Sequence, residues 1–242
     1  MSKAGTVKHK RGSTAEHVPR MSPEATQRIR QWHEGAYEEL RQRETSEIQY
    51  LGRTFIVPPQ VFPPTPMSDL LGNALLDEVR PSDRVLDMGT GCGVNAILAA
   101  SASRDVVAVD INPHALECAR KNTELNGVSD RIEIFESNLF DEVDGSFDLI
   151  VFDPPFRWFE PRDILEAAIT DRNYESLTRF MEKARGHLRQ EGRILLFFGS
   201  SADLGYLEEL IEREDFFRES VAERRLDKGG LIVSYFVFRL KP

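Results

Sequence analysis

The stretch Val85-Leu86-Asp87-Met88-Gly89-Thr90-Gly91-Cys92-Gly93 reads as a strand that runs into a glycine loop and then a helix. Glycines at such a place let the backbone turn sharply and approach a ligand closely. The pattern is Asp-x-Gly-x-Gly-x-Gly, with the acid two places before the first glycine. A pyrophosphate would gain nothing from Asp87. A ligand with an ammonium and a carboxylate would gain from both the acid and the loop amides. Taken alone, the motif also fits a generic nucleotide loop or a tight turn.

Two further strand ends narrow the choice. Val106-Val107-Ala108-Val109-Asp110 ends in an acid 21 positions after Gly89, where a carboxylate would grip a ribose diol. A third strand is followed by Glu136-Ser137-Asn138-Leu139-Phe140, which puts a polar side chain at the same sheet edge, able to read an adenine. Either residue could simply cap a helix or turn. Together with the glycine loop they form a constellation at a single switch-point edge.

A fourth strand, Phe147–Phe152, runs into Asp153-Pro154-Pro155-Phe156. Two prolines can merely stop a strand, but their place beside the glycine loop suggests chemistry. An amide or exocyclic amine nitrogen is a poor nucleophile, because its lone pair is delocalised. The Asp153 carboxylate and the Pro154 carbonyl can each accept a hydrogen bond from such an NH2 group, orienting it for attack. Phe156 offers a flat face for a planar substrate. In the next segment Trp158 and Phe159 could stack on that substrate, and Arg157 or Arg162 could pair with a carboxylate or phosphate. The same residues read equally well as a hydrophobic loop anchor with solvated arginines. His33 and His187 fall within helical patterns with no partner spacing, so no metal site is expected.

These residues need a scaffold that brings strand ends together. From Arg84 onward short apolar strands (84–88, 105–110, 131–135, 147–152, 192–198) alternate with helical stretches (94–101, 113–126, 174–189, 203–213). That alternation predicts an α/β fold, a parallel sheet with helices on both faces. The ending differs: strands at 219–226 and 231–240 are joined by Asp227-Lys228-Gly229-Gly230. A tight hairpin demands an antiparallel pair, so one antiparallel strand is expected near the C-terminus. Upstream, Ser22-Pro23 reads as a helix start, followed by Ile29, Trp32, Ala36, Tyr37 and Leu40 at helical spacing. That helix packs on its own domain or serves as a lid. A hairpin at 47–57 and the Pro-rich run 58–66 follow, the latter a linker or a wall laid across the domain.

The chain has 242 residues, enough for one large domain without covalent staples. Two cysteines, Cys92 and Cys118, cannot make a disulfide framework or a Cys-based zinc site, which points to a reducing, cytoplasmic address. Neither a membrane span nor a secretory signal is legible. The net charge of −9 is unevenly spread: residues 1–30 carry +5 and the remainder −14. An acidic body disfavours broad contact with a phosphate backbone. The basic segment 1–30 could serve as a nucleic-acid arm, but residues 1–21 read more simply as a disordered tail. The expected organisation is thus a tail (1–21), an N-terminal helix, hairpin and Pro-rich segment (22–66), and a main domain (67–242).

The stretch from Asp87 to Phe156 resembles class I S-adenosylmethionine-dependent methyltransferases. The resemblance implies a Rossmann-like seven-stranded, mostly parallel sheet. It implies S-adenosyl-L-methionine as cofactor and S-adenosyl-L-homocysteine as product. Asp87, Gly89 and Gly91 would meet the methionine end, Asp110 the ribose with Ile111 beside it, and Asn138 with Leu139 the adenine. The Asp153–Phe156 turn resembles the Asp/Asn-Pro-Pro-aromatic motif of enzymes that methylate planar nitrogens. Asp153 and Pro154 would then be catalytic, with Pro155, Phe156, Arg157 and Trp158 binding the substrate. Upstream, Gln49–Val57 and the run through Pro64, Pro66, Ser68, Asp69, Leu70 and Leu71 resemble the HemK/PrmC glutamine methyltransferases. Thr65 and Met67 stand where that family favours Arg and an acid. Asp153 leads the motif as in many adenine and guanine amino-methyltransferases, whereas glutamine methyltransferases usually carry Asn and Tyr where this chain has Asp153 and Phe156. The expected function is transfer of a methyl group to a planar nitrogen of a protein or small molecule. An RNA or DNA base is the alternative acceptor, and a cofactor-binding partner subunit without catalysis is the alternative role.

Overall fold

The computed structural model describes residues 17–228, 230 and 232–242. Most of the expected basic tail, residues 1–16, lies outside the described residues. Residues 17–21, the rest of that segment, are among the described residues. The His17 ring lies 3.0 Å from Asp203 Oδ2, and the Arg20 N–H donates to the same oxygen at 2.8 Å.

The first helix, α1 (Pro23–Arg41), begins where its capping signal predicts, with Ser22 Oγ accepting from the Ala25 N–H. Its buried residues, Ile29, His33, Tyr37 and Leu40, form one stripe. Strands β1 (Ser46–Tyr50) and β2 (Arg53–Val57) form the expected hairpin around Leu51 and Gly52, both at positive φ. The free edge of β2 is satisfied by two asparagines one helical turn apart. Asn122 bonds the Ile56 amide and carbonyl, and Asn126 bonds those of Thr54.

Then come α2 (Ser68–Glu78), β3 (Arg84–Met88), α3 (Val94–Ala99), β4 (Asp105–Asp110), α4 (Pro113–Leu125), β5 (Ile132–Glu136) and β6 (Phe147–Phe152). They lead into α5 (Glu175–Ala184), β7 (Leu188–Gly199), α6 (Leu204–Arg213), β8 (Phe217–Asp227) and β9 (Ile232–Lys241). The seven-stranded sheet runs β5-β4-β3-β6-β7-β9-β8, parallel except for β9, which is antiparallel to both neighbours. This is the α/β architecture with one inserted antiparallel strand that the tight terminal hairpin requires. Period-two alternation feeds two cores. Val85, Leu149 and Leu195 face α2, α3 and α4, whereas Leu86, Ile150 and Leu196 face α5 and α6.

One boundary differs from expectation. The helix predicted over 174–189 ends at Ala184, and β7 begins at Leu188 rather than Gly192. The β6–β7 register slips between Phe147 and Leu149, and a Cβ at Gly192 would lie 2.8 Å from the Phe147 carbonyl oxygen. Glycine there permits a bulge and so a longer strand. Among the described residues no helix is long and apolar enough to cross a membrane.

Candidate active site

The strand order reverses between β3, which pairs with both β4 and β6, and the crevice expected at such a point is present. It is a cleft of about 950 Å³ at the C-terminal edge of the sheet. That lies near the top of the range of about 300–1,000 Å³ common for ligand sites. Gly89, Gly91, Asp110, Ile111, Asn138 and Leu139 line one side, and Asp153, Pro154, Pro155, Phe156 and Arg157 another. These are eleven of the thirteen residues singled out above; Asp87 and Trp158 lie elsewhere.

Gly89, Gly91 and Gly93 all have positive φ. At Gly91 a Cβ would meet no protein atom within 4 Å, so the loop leaves open space beside its backbone. At Gly93 it would press on Ala119 at 3.2 Å, which makes the third glycine a packing requirement. Asp87 sits under this loop and is 1% exposed. Its Oδ2 accepts from Thr90 Oγ1 at 2.6 Å and from the Ala96 N–H at 3.0 Å, pinning the loop to the start of α3. Its Oδ1 is buried and without a partner among the described residues. Burial pushes this carboxyl up to about 6, against the pull of the Thr90 hydroxyl, the Ala96 N–H and the Asn95 side chain.

Asp110 ends β4 with both oxygens on backbone amides: Oδ2 accepts from Gly91 at 2.9 Å and Oδ1 from Asn112 at 2.8 Å. Burial still raises its pKa. Asn138 opens on the cleft, and Leu139 next to it takes a left-handed conformation, fixed by Ser137 Oγ donating to the Leu139 carbonyl at 2.7 Å.

Asp153 is exposed on the cleft, but desolvation by the protein packed around it, with Asp87 nearby, pushes its pKa up to about 7. Among the described residues no side chain or amide donates to it, so its oxygens are left for a ligand. The turn it begins is rigid, since Tyr174 Oη donates to the Phe156 carbonyl at 3.0 Å and the Phe156 ring packs on Phe197 and Phe198. Arg157 extends into an isolated bridge with Thr170. Trp158, next along this extended segment, points away. It is 2% exposed, packs on Phe159 and Tyr174, and borders a separate hollow of about 450 Å³.

The remaining walls come from elements that the sequence shows without naming their contact residues. The Pro-rich run from Val61 to Pro66 closes one side, as a wall laid across the domain, and Asn112 Nδ2 ties it down through the Gln60 carbonyl at 3.0 Å. Helix α1 roofs the cleft with Trp32, Gly35, Ala36 and Glu39. It is held by a buried cluster in which His33 Nε2 meets Glu166 Oε1 at 2.7 Å and Arg162 forks onto Glu166. Burial would raise the Glu166 carboxyl, but Arg162 and His33 hold it at about 2. Tyr37 Oη donates to Asp163. Ser176, Lys228 and Tyr235 also face the cleft, from segments whose patterns signal only helix or hairpin.

The chain matches the family model described as Methyltransferase small domain over residues 54–225. It is 32% identical over 187 residues to the release factor glutamine methyltransferase of Aquifex aeolicus, covering 70% of this chain and 66% of that one. It is 32% identical over 176 residues to the ribosomal protein uL3 glutamine methyltransferase of Bordetella pertussis, covering 66% and 59%. The chain thus spans less than two thirds of either enzyme. Among solved structures, the tRNA m1G37 methyltransferase of Methanocaldococcus jannaschii superposes with a TM-score of 0.60 at 20% identity, over 82% of this chain and 55% of that one. At that identity the likeness speaks for the fold. The family match covers most of the chain, from the second strand of the N-terminal hairpin almost to the end of β8, and the chain belongs to the methyltransferase small domain family.

Proposed function

We propose that this chain is an S-adenosylmethionine-dependent N-methyltransferase whose acceptor is a planar amide or amino nitrogen of a protein or small molecule. The observation that carries the proposal is that one cleft at one sheet edge holds the glycine loop, Asp110, Asn138 and the Asp153–Phe156 turn. The relatives named as glutamine methyltransferases of a release factor and of a ribosomal protein support a protein amide as acceptor.

The residues fit the cofactor. The open space beside Gly91 suits a ligand lying against the loop, and the orphaned Oδ1 of Asp87 suits a donor at its methionine end. Asp110, already fixed by two amides, has lone pairs left for a ribose diol, and Asn138 with Leu139 can flank an adenine. When bound, S-adenosylmethionine would supply a methyl group already activated by its sulfonium, so the chain need provide no covalent nucleophile.

What the chain contributes is orientation and a proton acceptor. Asp153 and the Pro154 carbonyl hold the two N–H hydrogens, so the lone pair is aimed rather than averaged over a plane. Phe156 backs the flat face of the acceptor. As the nitrogen gains its methyl group it must lose a proton, and a carboxylate with a pKa of about 7 can take it at its Oδ atom.

Three measurements test this reading. Calorimetric titration with S-adenosylmethionine should show one site, and tritiated methyl transfer into fractionated cell extract should label protein or small molecules. A purified chain that takes up no cofactor overturns it. The third is a pH profile. Asp153 can take a proton only when ionised, and desolvation by the surrounding protein moves its ionisation up to about 7. The apparent kcat/KM should therefore rise about tenfold per pH unit below that value and level off above it. Asp153→Asn should remove the rising limb, and a flat wild-type profile would exclude Asp153 as the proton acceptor.

A further inference from the structure

Arg157 carries a charge in this cleft that no carboxylate among the described residues balances. Its backbone is pinned: its N–H donates to the Ile169 carbonyl at 3.2 Å and its carbonyl accepts from the Asp171 N–H at 2.6 Å. Its Nη1 donates to the Ser201 carbonyl at 2.9 Å and Oγ at 3.3 Å. Its Nε and Nη2 have no partner among the described residues, and no described carboxylate pairs with it. The ionisable groups that act on it are the phenols of Tyr174 and Tyr235, and burial draws its pKa below the ordinary arginine value. The buried arginine of β7, Arg193, by contrast, meets both Glu78 and Asp83. Arg157 is half-buried, and a guanidinium partly withdrawn from water without a counter-ion is costly, its charge persisting because arginine does not give up its proton. Lys228 faces the same cleft, its Nζ over the rings of Trp32 and Tyr235, again with no carboxylate partner among the described residues.

We propose that the methyl acceptor brings a carboxylate to Arg157, while its nitrogen sits at Asp153. The inference deepens the N-methyltransferase reading and rests on it. Asp153 and Arg157 belong to one rigid turn, so they select for an acceptor with an N–H donor and an anionic group at a set separation. The planar fork of Arg157 matches a carboxylate with two parallel hydrogen bonds. A polyanion fits less well, because the chain beyond residue 30 carries −14. The carboxylate can come from a free acid or from an acidic group of a polypeptide.

The test begins with the full chain saturated with S-adenosylhomocysteine, whose uptake is measured first. It is then titrated with N-acetylglutamine, which has a free carboxylate, and with the neutral N-acetylglutamine methylamide. In a parallel arm it is titrated with a glutamine-bearing heptapeptide containing one glutamate, and with the same peptide carrying glutamine there. The acid form should bind at least about tenfold tighter in one arm, and the arm tells which source it is. Arg157→Met should bring both forms within about twofold with the affinity for S-adenosylhomocysteine unchanged. Arg157→Lys, which keeps the charge, should retain part of the preference and guards against misfolding of the methionine variant. Equal binding of acid and neutral forms overturns the proposal. So does a loaded chain that binds no probe better than the Arg157→Met variant does. Failure to take up S-adenosylhomocysteine overturns the methyltransferase reading instead.

Discussion

Asp153→Ala is expected to lower kcat by about 10²–10⁴-fold while the Kd for S-adenosylmethionine stays within about threefold. The size of the loss follows from what alanine removes. The carboxyl accepts no hydrogen bond from the described residues, so its removal leaves no donor stranded and no loop unpinned. What goes is one of two acceptors aimed at the substrate nitrogen, together with the group poised to take its proton at a pKa of about 7. The Pro154 carbonyl remains, so the nitrogen can still enter but is held by one hydrogen. Single-turnover kinetics beside calorimetry separate the two quantities. If cofactor affinity falls along with turnover, Asp153 belongs to cofactor binding rather than to the acceptor.

Asp110→Ala should do the opposite. It is expected to weaken cofactor binding by about 30–150-fold, the loss that goes with about 2–3 kcal/mol of charge-assisted hydrogen bonds, with kcat at saturation little changed. Its two oxygens hold the amides of Gly91 and Asn112, so alanine both deprives the ribose of its acceptor and frees the glycine loop. Asp110→Asn keeps one acceptor and the side-chain volume and should fall between. Calorimetric titration of both variants measures the effect, and unchanged affinity in Asp110→Ala would place the ribose elsewhere.

The parts of this architecture written in short-range signals were legible. Ser22-Pro23 marks the start of α1 because capping is decided within one turn. The acid and three glycines before α3 announce a strand–loop–helix unit, and the tight connection between β8 and β9 dictates the antiparallel strand. What escaped depends on which side of an extended backbone a residue faces, or on contacts far along the chain. Arg157 and Trp158 look alike as loop residues, but neighbours on an extended segment point opposite ways. One lines the cleft and the other packs under Phe159 and Tyr174. Asp87 reads as a ligand contact, yet the structure commits one of its oxygens to Thr90 and Ala96, a bond pattern visible only once α3 is placed. The longer β7 hinges on Gly192, whose missing side chain makes room for the bulge.

Helix α1 was read as an amphipathic element that must dock somewhere, and its docking partners have a bearing on how the protein comes into being. Glu166 and Asp163 follow His33 and Tyr37 by 133 and 126 positions. During synthesis the helix emerges long before they exist, and the strands that supply Asp87, Asp110 and Asp153 are complete before its anchor is. The roof therefore cannot be anchored until after β6 has been made, and Lys228 and Tyr235 join the cleft later still. The helix's attachment combines these polar bonds with the buried stripe of Ile29, Tyr37 and Leu40, so lifting the roof exposes that stripe but breaks no strand pairing. A molecule entering or leaving by that route need not disturb the sheet.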